Sequence, residues 1–166
     1  MRALVIPDVH LKPYMFAEAA ERMRRGVADR AVCLMDIPDD WGREYDLELY
    51  VQTFDAAISF AKEFPDTLWC YGNHDLCYLW NERESGYSRA AAYTVRNKLE
   101  ELKDALPSEN QIRYIHRIDD VLFCHGSILQ AFVEENVENT GSVDETLAEI
   151  NAMGPEQLWC SASPIW

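Results

Sequence analysis

The sequence predicts an α/β fold in which a mixed β-sheet packs between layers of helices. Short apolar runs alternate with amphipathic stretches, and polar residues able to bind metals follow the apolar runs. The chain has 166 residues, enough to bury one hydrophobic core. No repeat or linker interrupts it, so we expect a single domain over residues 1–166.

The first half of the chain reads as alternating strands and helices. Strands are expected at 3–8, 30–36 and 67–75, with helices at 14–26 and 44–64 between them. In the second helix the apolar side chains recur every three or four residues, which is the period of one helical face. A glycine ends the first helix and a proline follows the second, as is common at helix ends.

The second half is expected to add three helices around one β-hairpin. The ranges are 88–106, 127–138 and 142–154 for the helices and 112–126 for the hairpin. Ser88 is expected to cap the first of these helices, and Ser142 with Glu145 forms a capping box at the last. Asp119 and Asp120 supply the hairpin turn.

Charge and composition exclude some classes of function. The formal net charge is −14, which argues against a general nucleic-acid or membrane-surface binder, because both need a cationic face. No apolar run approaches the roughly 20 residues that span a bilayer. The five cysteines are scattered and odd in number, which indicates free thiols and a cytoplasmic protein.

Polar side chains follow every apolar run. They are Asp8 and His10, then Asp36 and Asp39, then Asn73, His74 and Asp75, and finally His125 after the hairpin. Each segment alone also fits a surface turn. Together they fit one site, because ligands of α/β sheets collect beyond the carboxyl ends of the strands. Asp, Asn and His are ligands of divalent metals such as Mn, Fe and Zn.

The order of these motifs, D-x-H, D-x-x-D, G-N-H-D and H-G, resembles the calcineurin-like metallophosphoesterase superfamily. The resemblance runs from Asp8 to Gly126. It implies a β-sandwich of mixed sheets flanked by helices, with two divalent metal ions at the strand ends. Mn, Fe or Zn would fill the site, with Mn favoured for activity. A metal-bridging hydroxide would then attack a phosphomonoester or a phosphodiester.

The same resemblance implies a role for each site residue. The metal ligands would be Asp8, His10, Asp36, Asn73 and His125, with Asp36 bridging the two ions. His74 would be catalytic, with Asp75 orienting its imidazole, and Asp39 would support the ligands without touching a metal. Trp41 and Trp80 lie near the motif loops as candidate walls of a substrate pocket.

Two departures from the family pattern leave a second hypothesis open. Met35 stands where the family usually has glycine, and no histidine follows His125, where a G-H-x-H motif is expected. We therefore expect a domain shortened at its C-terminus, or a site completed by a second copy or a partner chain. The alternative to an enzyme is a metal-binding or interaction protein with little or no catalysis.

Overall fold

The fold is built on a parallel β-sheet, in a computed structural model that describes residues 1–138 and 141–166. Its strands are β1 (Ala3–Ile6), β2 (Arg30–Cys33), β3 (Leu68–Cys70) and β4 (Ile112–Arg113), arranged in that order. Every crossover therefore moves one strand further in the same direction. Because parallel crossovers are right-handed, the connecting helices are placed on one face of the sheet.

Those helices supply the larger hydrophobic core. They are α1 (Tyr14–Arg24), α2 (Leu47–Glu63), α3 (Asn73–Trp80) and α4 (Ala92–Ala105). Phe16, Phe54 and Leu99 project from three of them into one cluster with Trp69 of β3, and all four side chains are buried. The amphipathic periods read from the sequence are explained by this packing, because each helix buries one apolar face.

A hairpin covers the other face of the sheet. Its strands β5 (Ile115–Ile118) and β6 (Val121–Cys124) pair antiparallel across the expected turn. Val32, Cys70 and Ile118 form a smaller core between the two sheets. The His116 ring adds a polar link, since its Nε2 lies 3.0 Å from the carbonyl oxygen of Trp69.

Short helices complete the described part of the chain. They are α5 (Gln130–Asn136), α6 (Val143–Asn151) and α7 (Pro155–Leu158). The Ser142 hydroxyl caps α6 by accepting from the amide of Glu145. Within the described ranges, no helix has both the length and the apolar character needed to cross a bilayer.

The structure confirms the expected α/β fold of sheets flanked by helices. The sheets were expected to be mixed, but parallel and antiparallel pairs occur in separate sheets. One sheet is entirely parallel and the other is antiparallel. Most elements lie where the sequence predicts them, with strands shorter than expected. Ser88 does not cap the fourth helix, which begins at Ala92; its hydroxyl instead accepts from the amide of Ala91 in the preceding turn.

The third strand is shorter than the predicted range of 67–75. It ends at Cys70, and helix α3 begins at Asn73. Gly72 is the N-cap, and its amide donates to the carboxylate of Asp75 at 3.1 Å. This pairing is the second half of a capping box, which favours a helix start over a continued strand.

Candidate metal centre

The loops after β1 and β2 run side by side beyond the ends of their strands. The amides of Val9, His10 and Leu11 donate to the carbonyl oxygens of Met35, Asp36 and Ile37 at 3.0, 2.8 and 3.1 Å. Beyond the last paired residues of β1 and β2, the two loops therefore continue to pair through backbone hydrogen bonds. As a consequence, the backbones that carry His10 and Asp36 hold a fixed position relative to each other.

The same loops contain backbone strain. His10, Met35, Asp36 and Asp39 have φ angles of 40°, 55°, 43° and 67°, in the left-handed region. A residue with a Cβ pays about 1–2 kcal/mol for that conformation. Met35 occupies the position at which the sequence lacks an expected glycine, and its positive φ explains why glycine would suit the position. Strain of this kind concentrates at functional sites, where surrounding contacts enforce it.

Asp36 lies at the centre of the cluster. Its Oδ2 is 3.2 Å from Nε2 of His125 and 3.8 Å from Nε2 of His10. Its Oδ1 accepts from the amide of His74 at 3.0 Å. The residue is 2% exposed, so these neighbours replace water around the carboxylate. One buried carboxylate therefore faces side chains from two other strand ends.

Both of these imidazoles are anchored through their other ring nitrogen. Nδ1 of His10 lies 2.9 Å from the carbonyl oxygen of Asp39, and Nδ1 of His125 lies 2.7 Å from that of Leu34. A carbonyl oxygen can only accept, so each Nδ1 carries a proton, and Nε2 is the ring nitrogen that faces Asp36. Histidines that bind metals are commonly held in this way by a hydrogen bond behind the ring.

Gly72 is where the third loop approaches the cluster. A Cβ built on it would lie 2.1 Å from Oδ1 of Asp36 and 2.7 Å from Nδ1 of His125. Only glycine fits at such distances, and the adjacent Asn73 is 8% exposed. Asp8 is half-exposed, and its Oδ1 lies 3.6 Å from Nδ1 of His125. Side chains from the first, second and fourth of these strand ends thus lie close together, and Asn73 of the third follows the glycine that packs against them.

The partner of the His74 imidazole differs from the prediction. Its Nδ1 lies 3.1 Å from Oδ2 of Asp39, whereas the sequence assigned the orienting role to Asp75. The Asp75 carboxylate instead accepts backbone amides, those of Asp36 at 2.8 Å, Ile37 at 3.1 Å and Gly72 at 3.1 Å. Asp75 is occupied there because it stands at the third position of α3, where a side chain turns back to the helix start.

Two tyrosines belong to the cluster and carry no motif that would have identified them. The hydroxyl groups of Tyr50 and Tyr78 donate to Oδ1 of Asp39, at 2.8 and 2.5 Å. Burial beside this carboxylate raises the pKa of both phenols, so both remain protonated donors. The sequence placed Tyr50 on the apolar face of a predicted helix, which also fits an ordinary core residue, and it assigned Tyr78 to no helix or strand.

The carboxylates set the charge of the histidines. Burial lowers the pKa of His125, but the contacts with Asp36 outweigh it and raise the pKa to about 9. For His74, burial again opposes charge, and the hydrogen bond with Asp39 shifts the balance so that the pKa is raised. Burial raises the pKa of Asp75 to about 7, and the nearby charge of Asp36 adds to this effect. The cluster thus favours an added positive charge.

The donor set fits a divalent cation. Asp36, Asp39 and Asp75 are 2%, 0% and 0% exposed, and in the described part of the chain no Lys or Arg pairs with them. Buried carboxylates are costly without a compensating charge. Across residues 1–138 and 141–166, however, no three His, Cys, Asp or Glu side chains are arranged so that they could hold a metal ion. Nε2 of His125 contacts Asp36 directly instead.

An exposed tryptophan borders the cluster. The Trp41 ring centroid lies 5.5 Å from that of His10 and 5.8 Å from that of His74, and Trp41 is 58% exposed. It is therefore placed to contact a molecule bound at these imidazoles. Trp80 is not: its ring packs with those of Trp159 and Tyr114, at centroid distances of 6.0 and 6.1 Å.

Residues 164–166 pack between two of the motif loops. The carbonyl oxygens of Pro164 and Trp166 accept from the amides of Gly126 and Ser127, at 2.9 and 3.2 Å. The carbonyl oxygen of Ile165 accepts from the amide of Asn73 at 3.0 Å. This segment therefore fixes the backbone next to two of the predicted metal ligands.

Comparison with known proteins gives one match. A family model described as calcineurin-like phosphoesterase matches residues 1–163. Searches of curated proteins and of solved structures find no significant match. The family match covers every residue of the cluster described above.

Proposed function

Because the chain belongs to the calcineurin-like phosphoesterase family, we propose that it is a metal-dependent hydrolase of phosphomonoesters or phosphodiesters. Members of this family are generally phosphoesterases that use divalent metals. The single observation that best supports the proposal is the convergence of His10 and His125. Each aims Nε2 at Oδ2 of Asp36 while its Nδ1 is anchored on a backbone carbonyl.

The proposed metal site contains two ions, with manganese favoured. The residues that would hold them are Asp8, His10, Asp36, Asn73 and His125. When bound, the ions would polarise the phosphoryl oxygens and lower the pKa of a bound water. Asp36 has both oxygens directed into the cluster, which suits a carboxylate shared by two ions. Asp75 positions Asp36 by accepting its backbone amide.

His74 is the proposed general acid. Its Nδ1 is held by Asp39, so the proton on the opposite ring nitrogen can be transferred to the leaving oxygen of the ester. Despite burial, the hydrogen bond with Asp39 raises the pKa of His74, which favours the imidazolium form that a general acid needs. Asp39, not Asp75, is thus the residue that orients the catalytic ring.

The cellular setting completes the proposal. A cytoplasmic location is supported by five cysteines that are all free thiols. The proposed partner is a phosphate-ester substrate, and the net charge of −14 argues against general nucleic-acid or membrane-surface binding. A local cation site would make such an acidic protein attractive to an anionic ester.

Turnover of chromogenic esters tests the function. We expect the Mn²⁺-loaded protein to hydrolyse p-nitrophenyl phosphate or bis-p-nitrophenyl phosphate. Asp36→Asn should abolish this activity, and His74→Ala should reduce it by about 100-fold or more, as loss of a general acid does. Asp66→Asn, a change on the surface turn before β3, is the matched control and should leave turnover unchanged.

A metal-binding or interaction protein is the second candidate. The observation that favours it is that residues 126–166 contain no histidine, and therefore no G-H-x-H motif that would add metal ligands. Mn²⁺ binding measured by calorimetry without turnover of either ester would support it. Sedimentation with and without Mn²⁺ would show whether a second copy completes the site.

A further inference from the structure

We propose that Tyr50 and Tyr78 are positioning residues that fix the Asp39 carboxylate and, through it, the His74 ring. The proposal rests on the proposed function for its kinetic consequence, but its structural content stands on hydrogen bonds alone. Neither tyrosine is expected to touch substrate or metal. Each acts through Asp39, which contacts His74 directly.

The two oxygens of Asp39 have separate partners. Oδ1 accepts from Tyr50 at 2.8 Å and from Tyr78 at 2.5 Å, while Oδ2 lies 3.1 Å from Nδ1 of His74. Two donors on one oxygen fix the rotation of the carboxylate plane. With that rotation fixed, the other oxygen has a single direction in which to face the imidazole.

The backbone alone does not supply this restraint. Asp39 lies in the loop after β2 with a φ of 67°, so its side chain depends on tertiary partners for its orientation. It is 0% exposed, so water cannot replace a lost donor. An unpaired buried acceptor costs about 1–3 kcal/mol, and a carboxylate that loses one phenol would turn toward other donors.

The phenols are themselves held rigidly by separate elements. Tyr50 lies on α2 and Tyr78 on α3, and both are 0% exposed. The Tyr78 hydroxyl also accepts from the amide of Ser88 at 2.8 Å, and its ring stacks on that of Tyr87 with centroids 4.4 Å apart. The orientation of His74 is therefore coupled to the packing of two helices and to the loop that follows α3.

A purely structural role for the tyrosines predicts a different result from a positioning role. A buried tyrosine hydroxyl usually has a hydrogen-bond partner, and removing the hydroxyl lowers the stability of the fold. A loss of stability alone would lower turnover of all substrates equally. A misdirected His74 would instead harm esters whose leaving group needs a proton, and spare those whose leaving group is already a stable anion.

Kinetics with two leaving groups separate these roles. The variants are Tyr50→Phe, Tyr78→Phe and the double substitution, assayed with Mn²⁺ on phenyl phosphate and on p-nitrophenyl phosphate. We expect kcat to fall about tenfold or more on phenyl phosphate and only about twofold on p-nitrophenyl phosphate, with KM unchanged, because proton transfer matters most for poor leaving groups. Tyr114→Phe is the control: it removes the hydroxyl group of a tyrosine whose ring lies near those of Tyr71 and Trp80, and it should change neither rate.

Nuclear magnetic resonance gives a test that needs no turnover. In ¹⁵N-histidine-labelled, metal-free protein, the Nδ1 proton of His74 should show the downfield shift of a hydrogen bond to a carboxylate. The signal of this proton should change position or broaden in the double variant and remain unchanged in Tyr114→Phe. An unchanged His74 signal in the double variant would overturn the inference, as would equal losses on both esters. Absence of any turnover would count against the proposed function only, and the spectra would still decide the inference.

Discussion

Gly72 shows how a single residue determines the packing of the site. Its missing side chain lets the third loop lie against Asp36, where a Cβ would be 2.1 Å from a carboxylate oxygen. Its φ of −105° is ordinary for any residue, so the requirement is for space and not for backbone freedom. The glycine in the G-N-H-D motif is thus explained by a close approach.

Substitution of Gly72 tests this explanation against a matched glycine. Gly72→Ala should lower the free energy of unfolding by about 1–3 kcal/mol more than Gly154→Ala, because overpacking forces Asp36 to shift. Both glycines are helix N-caps with nearly equal φ, −105° and −106°, so the loss of capping cancels. A Cβ on Gly154 meets nothing closer than 4.0 Å. Urea denaturation measures both, and equal losses would contradict the explanation.

Trp41 leads to a prediction about substrate preference. Trp41→Ala should raise KM for p-nitrophenyl phosphate roughly fivefold, because an aromatic contact contributes about 1 kcal/mol. KM for glycerol 2-phosphate should change little, since that ester has no ring to stack. Tyr45→Ala removes another exposed aromatic side chain, 86% exposed, and serves as the control. Equal changes on the two esters would show that Trp41 does not contact the leaving group.

The sequence identified the polar residues that follow the strand ends, but it did not identify their hydrogen-bond partners. Asp39 and Asp75 both follow strand ends, and the spacing of the motif residues does not predict which carboxylate contacts the His74 ring. The G-x-x-D spacing of a capping box was the available sign that Asp75 would turn to the backbone. The donors to Asp39 come from helices α2 and α3, so their convergence depends on tertiary packing that no local pattern records.

At the scale of elements, apolar periodicity predicted the long helices well. Helices α1 and α2 lie inside their expected ranges because each buries one face of regular period. The helix at Asn73–Trp80 was missed because the strand predicted from the preceding apolar run was extended through Gly72 to residue 75. Short elements set by caps and close contacts, not by periodicity, are where such prediction fails.

His116, in strand β5 of the hairpin, leads to a prediction about how the free energy of unfolding depends on pH. Burial lowers the pKa of His116, although its hydrogen bond to the Trp69 carbonyl partly opposes this. The unfolded chain therefore binds a proton more readily, so the stability contributed by neutral His116 is present above about pH 6.5 and is lost as the pH falls. The free energy of unfolding should fall more steeply between pH 7 and 5 in the wild type than in His116→Phe, both measured with EDTA. Parallel curves would show that His116 is not buried as a neutral ring.

At the scale of the whole molecule, net charge and metal binding are linked. A formal charge of −14 on 166 residues disfavours the compact state through self-repulsion, and the buried carboxylates add to this cost. A divalent cation at the strand ends would offset both. Metal binding should therefore stabilise the entire domain and not only the loops.

Thermal unfolding measures that coupling. Mn²⁺ at 100 times its dissociation constant should add about 2.7 kcal/mol to the free energy of unfolding, which corresponds to a rise in Tm of several degrees. Asp36→Asn keeps the side-chain shape and should remove most of the shift. Asp66→Asn should retain it in full. A shift of equal size in Asp36→Asn would place the bound metal elsewhere.

The paired loops after β1 and β2 have a consequence for how this protein can diverge. Three backbone hydrogen bonds join them in register, so one inserted residue in either loop would displace its partner groups in the other. The lengths of these two loops are therefore tied to each other. Residues 82–86, which the structure describes between α3 and the contacts of Tyr87 and Ser88, form no such ladder with the sheet, and it is there that insertions can accumulate and new substrate contacts can arise.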